Sequence, residues 1–124
     1  MQRIMLQSKI HRATVTEANL DYEGSITIDE ALMEKANLLP FEQVQVYNIS
    51  NGERFETYAI IGPRNSGIIC INGAAARKAA KGDLIIIANY VMLKADEAKK
   101  HTPRMVYVNA QNRPIPKIAA VSNK

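Results

Sequence analysis

The chain has 124 residues, 47% of them hydrophobic, which is enough for one small domain with its own core. Its net charge of +4 permits anionic ligands or nucleic acid, but the basic residues are scattered, which favours a solvated surface. The single cysteine, Cys70, excludes an intrachain disulfide and a cysteine-built metal site. The longest apolar stretch, at 84–93, is too short to span a bilayer, so we expect a soluble, cytoplasmic protein without membrane contact.

Residues 3–16 mix apolar and polar positions as a strand does, although the alternation is imperfect. Lys9 and His11 are two positions apart, so they share one face of this strand. On an inward face such side chains are costly unless they meet an anion or another polar partner. The pair is therefore either an ordinary surface pair or part of a polar site.

A helix is predicted to begin at Thr27. Thr27 and Glu30 have the spacing of a capping box, and apolar residues recur at helical spacing from Ile28 onward. The helix should end near Asn37, ahead of Pro40. This interpretation places Ser25 just before a helix N-terminus, whose free N–H groups could stabilise an oxyanion.

A β-hairpin is predicted next, with its turn at the Asn-Gly pair 51–52. The first strand alternates cleanly over 44–49. On the returning strand, alternation places Arg54 and Tyr58 on one face and Thr57 on the other.

The remainder of the sequence predicts further short strands and two short helical segments. The segment Asn72-Gly73-Ala74-Ala75 reads as a strand end running into a short helix through about residue 80, whose first amides suit an anion. Strands are expected at 68–71, 84–93 and 105–108, a helical turn at 95–100, and a tail without strong signals at 111–124. Many short strands without a βαβ rhythm predict a mainly β fold, a small barrel.

The bend Tyr22-Glu23-Gly24-Ser25 carries a bond that can rearrange. Gly24 has no Cβ and leaves its carbonyl open, and the Ser25 hydroxyl lies within reach of it. Attack by that hydroxyl would convert the amide to an ester. Elimination would then leave a dehydroalanine, which hydrolyses to a ketone, the pyruvoyl group. A Gly-Ser pair by itself is far more often an ordinary turn, so the other segments decide.

Together these segments resemble the pyruvoyl-dependent aspartate 1-decarboxylases, bacterial enzymes that make β-alanine for pantothenate. The matching pieces fall in order between residues 4 and 92: Met5-Leu6-Gln7, Lys9, His11-Arg12, Val15-Thr16, Tyr22-Glu23-Gly24-Ser25, Asn51-Gly52, Arg54-Phe55, Thr57-Tyr58-Ala59-Ile60, Asn72-Gly73-Ala74-Ala75-Ala76 and Gly82-Asp83. The joint match is specific, although no single piece is. The region after Lys94 matches weakly.

The resemblance implies a double-psi β-barrel with short helices, as one domain over residues 1–124. It implies self-cleavage between Gly24 and Ser25 into a β-chain, 1–24, and an α-chain, 25–124. The pyruvoyl group made from Ser25 would be the cofactor, with no metal and no PLP. The substrate would be L-aspartate, the assembly a homotetramer with active sites between neighbouring subunits. The sequence leaves open whether an accessory protein assists maturation.

The resemblance also implies a role for each matching residue. Ser25, as pyruvoyl, would form the Schiff base with the substrate amine, and Tyr58 would donate the proton that completes decarboxylation. The substrate-binding residues would be Lys9, Arg54, Thr57, Gly73, Ala74 and Ala75. Supporting residues near the site would be His11, Tyr22 and Asn72. Arg54 can grip a carboxylate bidentately, whereas Lys9 offers a point charge.

Two other readings compete with this one. A non-catalytic small β-barrel that binds nucleic acid or a partner protein would need clustered basic residues and exposed aromatics. The sequence has 6% aromatic residues and no Trp, and its charge is scattered. An uncleaved, inactive relative is the third reading. The presence of Gly24-Ser25, Arg54, Thr57 and Tyr58 weighs against it, although a cleavage motif does not prove cleavage.

Overall fold

The computed structural model describes residues 1–21 and 23–117, and these form a mainly β structure. Its strands are β1 (Gln2–Thr14), β2 (Glu17–Asn19), β3 (Ser25–Asp29), β4 (Gln43–Asn48), β5 (Arg54–Gly62), β6 (Ile69–Asn72), β7 (Leu84–Lys94), β8 (Arg104–Val108) and β9 (Pro114–Ile115). Its helices are α1 (Glu30–Ala36), α2 (Ala95–Lys100) and a 3₁₀ helix (Gly73–Arg77).

The strands close into a barrel because the N-terminal segment pairs with both ends of the central sheet. β1 runs antiparallel to β7, and β2 runs parallel to β6. In the link between β1 and β2, Val15 N–H donates to the Asp83 carbonyl at 2.9 Å, and Thr16 N–H donates to the Ile69 carbonyl at 2.8 Å. The order β6-β3-β5-β4-β7 completes the ring.

Two strand insertions give this barrel its topology. β3 lies between β5 and β6, which follow one another along the chain, and it is parallel to the first and antiparallel to the second. β6 in turn lies between β2 and β3, which are also consecutive, parallel to one and antiparallel to the other. Each insertion is a psi arrangement, so the predicted double-psi barrel with short helices is confirmed.

One hydrophobic core fills the barrel, and every strand but the short β2 and β9 contributes to it. Burying one large apolar side chain stabilises a fold by about 1.5–3 kcal/mol. The largest apolar side chains that are fully buried are Ile10, Val15, Ile26, Ile28, Leu32, Val44, Val46, Ile69, Ile71, Ile85 and Ile87. The alternate residues of the same strands therefore face outward, and the polar site residues are found among them.

The helix predicted from Thr27 begins later than expected, and the capping-box prediction is wrong. Residues 25–29 form β3, because Ile26 and Ile28 are buried in the core and the strand pairs on both sides. Asp29 caps α1 instead, accepting a hydrogen bond from Ala31 N–H at 2.9 Å. Tertiary pairing outweighs a local signal here.

Most other element predictions are confirmed. The helix ends at Asn37, which adopts the left-handed conformation with φ 56°. The hairpin turn at 51–52 joins β4 and β5, and Gly52 has φ 78°. The helix after Asn72 is a 3₁₀ helix that ends at Arg77, shorter than expected. In the tail, β9 pairs with β8, while residues 118–124 lie outside the described part.

Within residues 1–21 and 23–117, no helix has the length and apolar character needed to cross a membrane. The cytoplasmic location stays a prediction.

Asp29 ties α1 to the loop before β6. Its carboxylate is 2% exposed and accepts hydrogen bonds from the N–H groups of Ala31, Asn65 and Gly67, each at 2.9 Å. Burial raises the pKa of Asp29, but the N–H groups, that of Gly67 foremost, and the charge of Arg113 together bring it below its usual value. The carboxylate form therefore stabilises the fold.

We predict that Asp29→Asn lowers the free energy of unfolding above about pH 4 and weakens its acid dependence. The parent gains stability from the carboxylate above the unfolded pKa and loses it as the pH falls through the lower folded pKa. Urea unfolding between about pH 2 and pH 7 measures both effects. Asp96→Asn, at an exposed position of α2, is the matched control. Equal pH slopes for Asp29→Asn and the parent would contradict this role.

Candidate active site

Ser25 begins β3 and lies between two strands that supply its neighbours. In the antiparallel pairing with β6, Ser25 is opposite Asn72. In the parallel pairing with β5, Ile26 is opposite Ala59, so Ser25 lies beside Tyr58. Because Ile26 points into the core, the side chain of Ser25 faces outward.

This outer face forms an open cleft of about 970 Å³. Among the side chains with hydroxyl or amide groups that line the cleft are Ser25, Thr27, Tyr58 and Asn72. Ser25 and Asn72 are only 4% and 3% exposed, so they form its floor. The remaining lining residues are Glu17, Asn19, Asp21, Glu23, Phe41, Ile60, Ile61, Ile68 and Cys70.

The Asn72 side chain holds the Ser25 hydroxyl. Its Nδ2 donates to Ser25 Oγ at 2.9 Å and to Thr27 Oγ1 at 3.0 Å. Its Oδ1 accepts a hydrogen bond from Cys70 Sγ at 3.2 Å. A donor on Ser25 Oγ favours the negative charge that would form there as its proton leaves.

Gly24 lies in an exposed bend with space around it. Apart from the adjacent residues of the chain, no atom comes within 4 Å of the position that a Cβ would take, so its carbonyl has no crowded neighbour on that side. Its φ lies outside the left-handed region, so the backbone conformation does not itself demand glycine here. The expected helix N-terminus beside Ser25 is wrong, because α1 begins only at Glu30, after β3.

Further predicted residues lie near the Gly24–Ser25 bond. Extending the β3–β5 register by two residues from Ile26 and Ala59 places Thr57 opposite Gly24, and alternation turns its side chain away from the face of Tyr58. Gly73, Ala74 and Ala75 open the 3₁₀ helix directly after Asn72. Gly73 has φ 73°, a conformation that side chains rarely adopt, and Ala74 is exposed.

The predicted cationic residues lie elsewhere on the barrel surface. Arg54 lies on the same face of β5 as Tyr58, as predicted. The two residues are four positions apart, which is about 13 Å along the strand. Its guanidinium lies 4.0 Å from the centroid of the Tyr47 ring. Lys9 pairs with Ala88 on β7, away from β3. Among the described lining residues of the cleft there is no Lys, Arg or His.

His11 and Tyr22 complete the predicted set. His11 is half-buried beside Tyr107, with the ring centroids 5.7 Å apart, and does not line the cleft. Tyr22 lies outside the described residues.

Sequence reasoning missed several side chains of this surface. Tyr47 lies under Arg54, and its hydroxyl is 2.8 Å from that of Tyr90. The hydrogen bond to Tyr47, and then burial, raise the pKa of Tyr90. The hairpin turn could have revealed the first contact, because it places Tyr47 opposite Arg54. Thr27 and Cys70 were missed because one was assigned to a helix and the other to the core.

The parts of the chain that the structure describes contain no group of three His, Cys, Asp or Glu side chains placed to hold a metal ion.

Among solved structures, the crystal structure of the rationally designed protein mkDPBB_sym_86 aligns with a TM-score of 0.48 at 13% identity. The alignment covers 65% of this chain and 94% of that one. At this level the similarity adds nothing to the strand pairing described above.

Sequence comparison gives a closer relationship. A family model described as aspartate decarboxylase matches residues 1–115. An "Aspartate 1-decarboxylase" from Syntrophus aciditrophicus is 65% identical over 91% of this chain and 97% of the relative. Another, from Syntrophobacter fumaroxidans, is 61% identical over 93% of each chain. Because the match spans nearly the full length of both partners, this chain belongs to the aspartate decarboxylase family.

Proposed function

We propose that this chain decarboxylates L-aspartate to β-alanine and CO₂, for pantothenate synthesis, after cleaving itself between Gly24 and Ser25. Family membership supports this activity over a nucleic-acid-binding barrel. The single structural observation that carries the proposal is the contact between Asn72 Nδ2 and Ser25 Oγ at the floor of a cleft that Tyr58 also lines. It supplies an oriented hydroxyl beside an open glycine carbonyl.

Self-cleavage begins at the Ser25 hydroxyl. Its oxygen bonds to the Gly24 carbonyl carbon, the Gly24–Ser25 amide bond breaks, and the freed nitrogen becomes an amine while Gly24 is held as an ester. Loss of the Ser25 α-proton expels the Gly24 carboxylate and leaves a dehydroalanine. Water then adds and ammonia leaves, giving the ketone. Asn72 orients the oxygen for its attack.

The residues around position 25 fit a pyruvoyl group. The residue at this position is only 4% exposed, yet it lines a cleft large enough for aspartate. Asn72 Nδ2 and the Thr27 hydroxyl offer hydrogen bonds to small carbonyl groups there. When formed, such a group supplies an electrophilic carbonyl that takes the substrate amine and accepts electrons as CO₂ leaves.

The proton donor in this proposal is Tyr58. It lies beside position 25 on the neighbouring strand and lines the cleft, and a tyrosine hydroxyl can act as a general acid. The Phe41 ring lies against it, with the centroids 6.4 Å apart, and limits the positions that the Tyr58 ring adopts. Gly73 to Ala75 add backbone amides at the adjacent end of β6 that suit a carboxylate.

The charges of the cleft support an assembly in which a second copy completes each site. Glu17, Asp21 and Glu23 line it, and these would repel a substrate with two carboxylates. Arg54 and Lys9 lie on other parts of the outer face. A homotetramer with sites between neighbours brings these cations from one subunit to the cleft of the next. Each protomer would consist of chains 1–24 and 25–124.

We predict that Ser25→Ala leaves one full-length, inactive chain, because no hydroxyl remains to attack Gly24. Intact mass of the denatured protein is the measurement. The parent should give two fragments divided after Gly24, the larger lighter than its hydrolytic product by one ammonia. Thr102→Ala, which removes an exposed hydroxyl after α2, should cleave as the parent does. Formation of β-alanine by Ser25→Ala would contradict the pyruvoyl assignment.

We predict that Tyr58→Phe still cleaves itself but lowers kcat by at least about 100-fold, the usual effect of losing a general acid. Fragment masses and initial rates of β-alanine formation, measured on one preparation, separate the two steps. Normal cleavage serves as the internal control for folding. A kcat equal to that of the parent would remove Tyr58 as proton donor.

Mixed assemblies test the shared site. Ser25→Ala and Arg54→Ala, each inactive alone, should together recover about a quarter of parental activity when subunits associate at random. A site regains function where the cleft of an Arg54→Ala subunit, which still has Ser25, lies beside a Ser25→Ala subunit, which still has Arg54. The matched pair, Ser25→Ala with Tyr58→Phe, should recover nothing, because both residues belong to the same cleft. Equal recovery by both pairs, or by neither, would argue against an Arg54 donated by the neighbour.

A further inference from the structure

The Asn72 amide lies between a thiol on one side and two hydroxyls on the other. Cys70 is two residues earlier on β6, and both are buried on the cleft face. Ser25 and Thr27 are two residues apart on β3, opposite them. The amide therefore has polar neighbours at both of its ends.

The number of hydrogens at each end decides which way the amide points. Nδ2 carries two hydrogens, and it faces two oxygens, Ser25 Oγ at 2.9 Å and Thr27 Oγ1 at 3.0 Å. With the amide reversed, Nδ2 would face Cys70 Sγ, a weak acceptor, and a second N–H would lose its partner. Since Asn72 is 3% exposed, such a loss is costly.

Cys70 completes the orientation from the other side. Burial raises the pKa of its thiol, and the nearby charge of Glu17 raises it further, so the sulfur keeps its proton. A protonated thiol is a donor, and Asn72 Oδ1 accepts from it at 3.2 Å. A thiolate would repel Oδ1 and favour the reversed amide.

We propose that Thr27 and Cys70 are positioning residues for self-cleavage, which hold Asn72 with its nitrogen toward the Ser25 hydroxyl. This inference rests on the proposed function. In the observed orientation Ser25 Oγ accepts a hydrogen bond, so its own proton is free to leave and charge on the oxygen is stabilised. In the reversed orientation the Ser25 hydroxyl would donate to Oδ1, and its proton would be held there. Thr27 and Cys70 thus act through Asn72, without touching the reacting carbonyl.

Two pairs of variants separate hydrogen bonding from packing. Thr27→Val keeps the side-chain shape and removes the acceptor, and Cys70→Ala removes the donor. Each should slow self-cleavage about tenfold, as expected when one hydrogen bond that orients a reacting group is lost. Thr27→Ser keeps a hydroxyl that accepts from Asn72, and Cys70→Ser replaces the thiol donor by a hydroxyl donor. Both variants should cleave close to the parental rate. Thr102→Val, at an exposed position, is the matched control.

The rate is measured as the disappearance of full-length mass from freshly purified precursor, with thermal unfolding of each variant recorded alongside. Slow self-cleavage by Thr27→Val and Cys70→Ala, together with near-parental rates for Thr27→Ser and Cys70→Ser, would support the inference. Parental cleavage rates in folded Thr27→Val and Cys70→Ala would overturn the inference. So would Thr27→Ser and Cys70→Ser variants that cleave as slowly as Thr27→Val and Cys70→Ala, because packing alone would then explain the loss. Should one variant not fold, the pair at the other position decides. A parent that never cleaves overturns the proposed function, and with it this inference.

Discussion

The double pairing of β3 is the constraint on which the rest of the structure depends. One strand of five residues is bonded to β5 on one side and to β6 on the other, while Ile26 and Ile28 anchor it in the core. Its register cannot slip without turning those two side chains outward. Ser25 is therefore fixed opposite Asn72 and beside Tyr58. The psi topology that makes this pairing possible also brings together residues that are far apart in the sequence.

The charge of the cleft differs from the charge of the whole chain. The chain is basic, with a net charge of +4, yet the described cleft is lined by carboxylates and by no cation. Net charge thus says little about this site, because the cations are distributed over other faces of the barrel. Arg54 is already placed over Tyr47, which keeps its planar group in one orientation. On the proposed assembly, this stacked guanidinium would meet a substrate carboxylate in the cleft of a neighbouring subunit.

Short-range sequence patterns predicted much of the fold. The elements that they missed depend on pairing between strands that are distant in the sequence. The Asn-Gly turn, the alternation around Tyr58 and the helix end at Asn37 depend on neighbouring residues, and all are confirmed. The helix start at Thr27 is wrong, because a local capping signal carries no information about the strands on either side of β3. Resemblance to a family, rather than periodicity, named the site residues. It could not show that Cys70, which lies between two isoleucines in the sequence, lines the cleft and donates a hydrogen bond to Asn72.

On the proposed mechanism, one small cleft serves two reactions in succession, and the strands divide the work. The group that contacts the Ser25 oxygen belongs to β6, whereas the proton donor belongs to β5. Because β6 and β5 pair with β3 on opposite sides, substitutions can impair maturation without removing the proton donor, and the reverse. Asn72 is nearly enclosed and hydrogen-bonded at both ends, as suits a step that happens once in each chain. Tyr58 is half-exposed in the open cleft, as suits a step that must admit and release a substrate at every turnover.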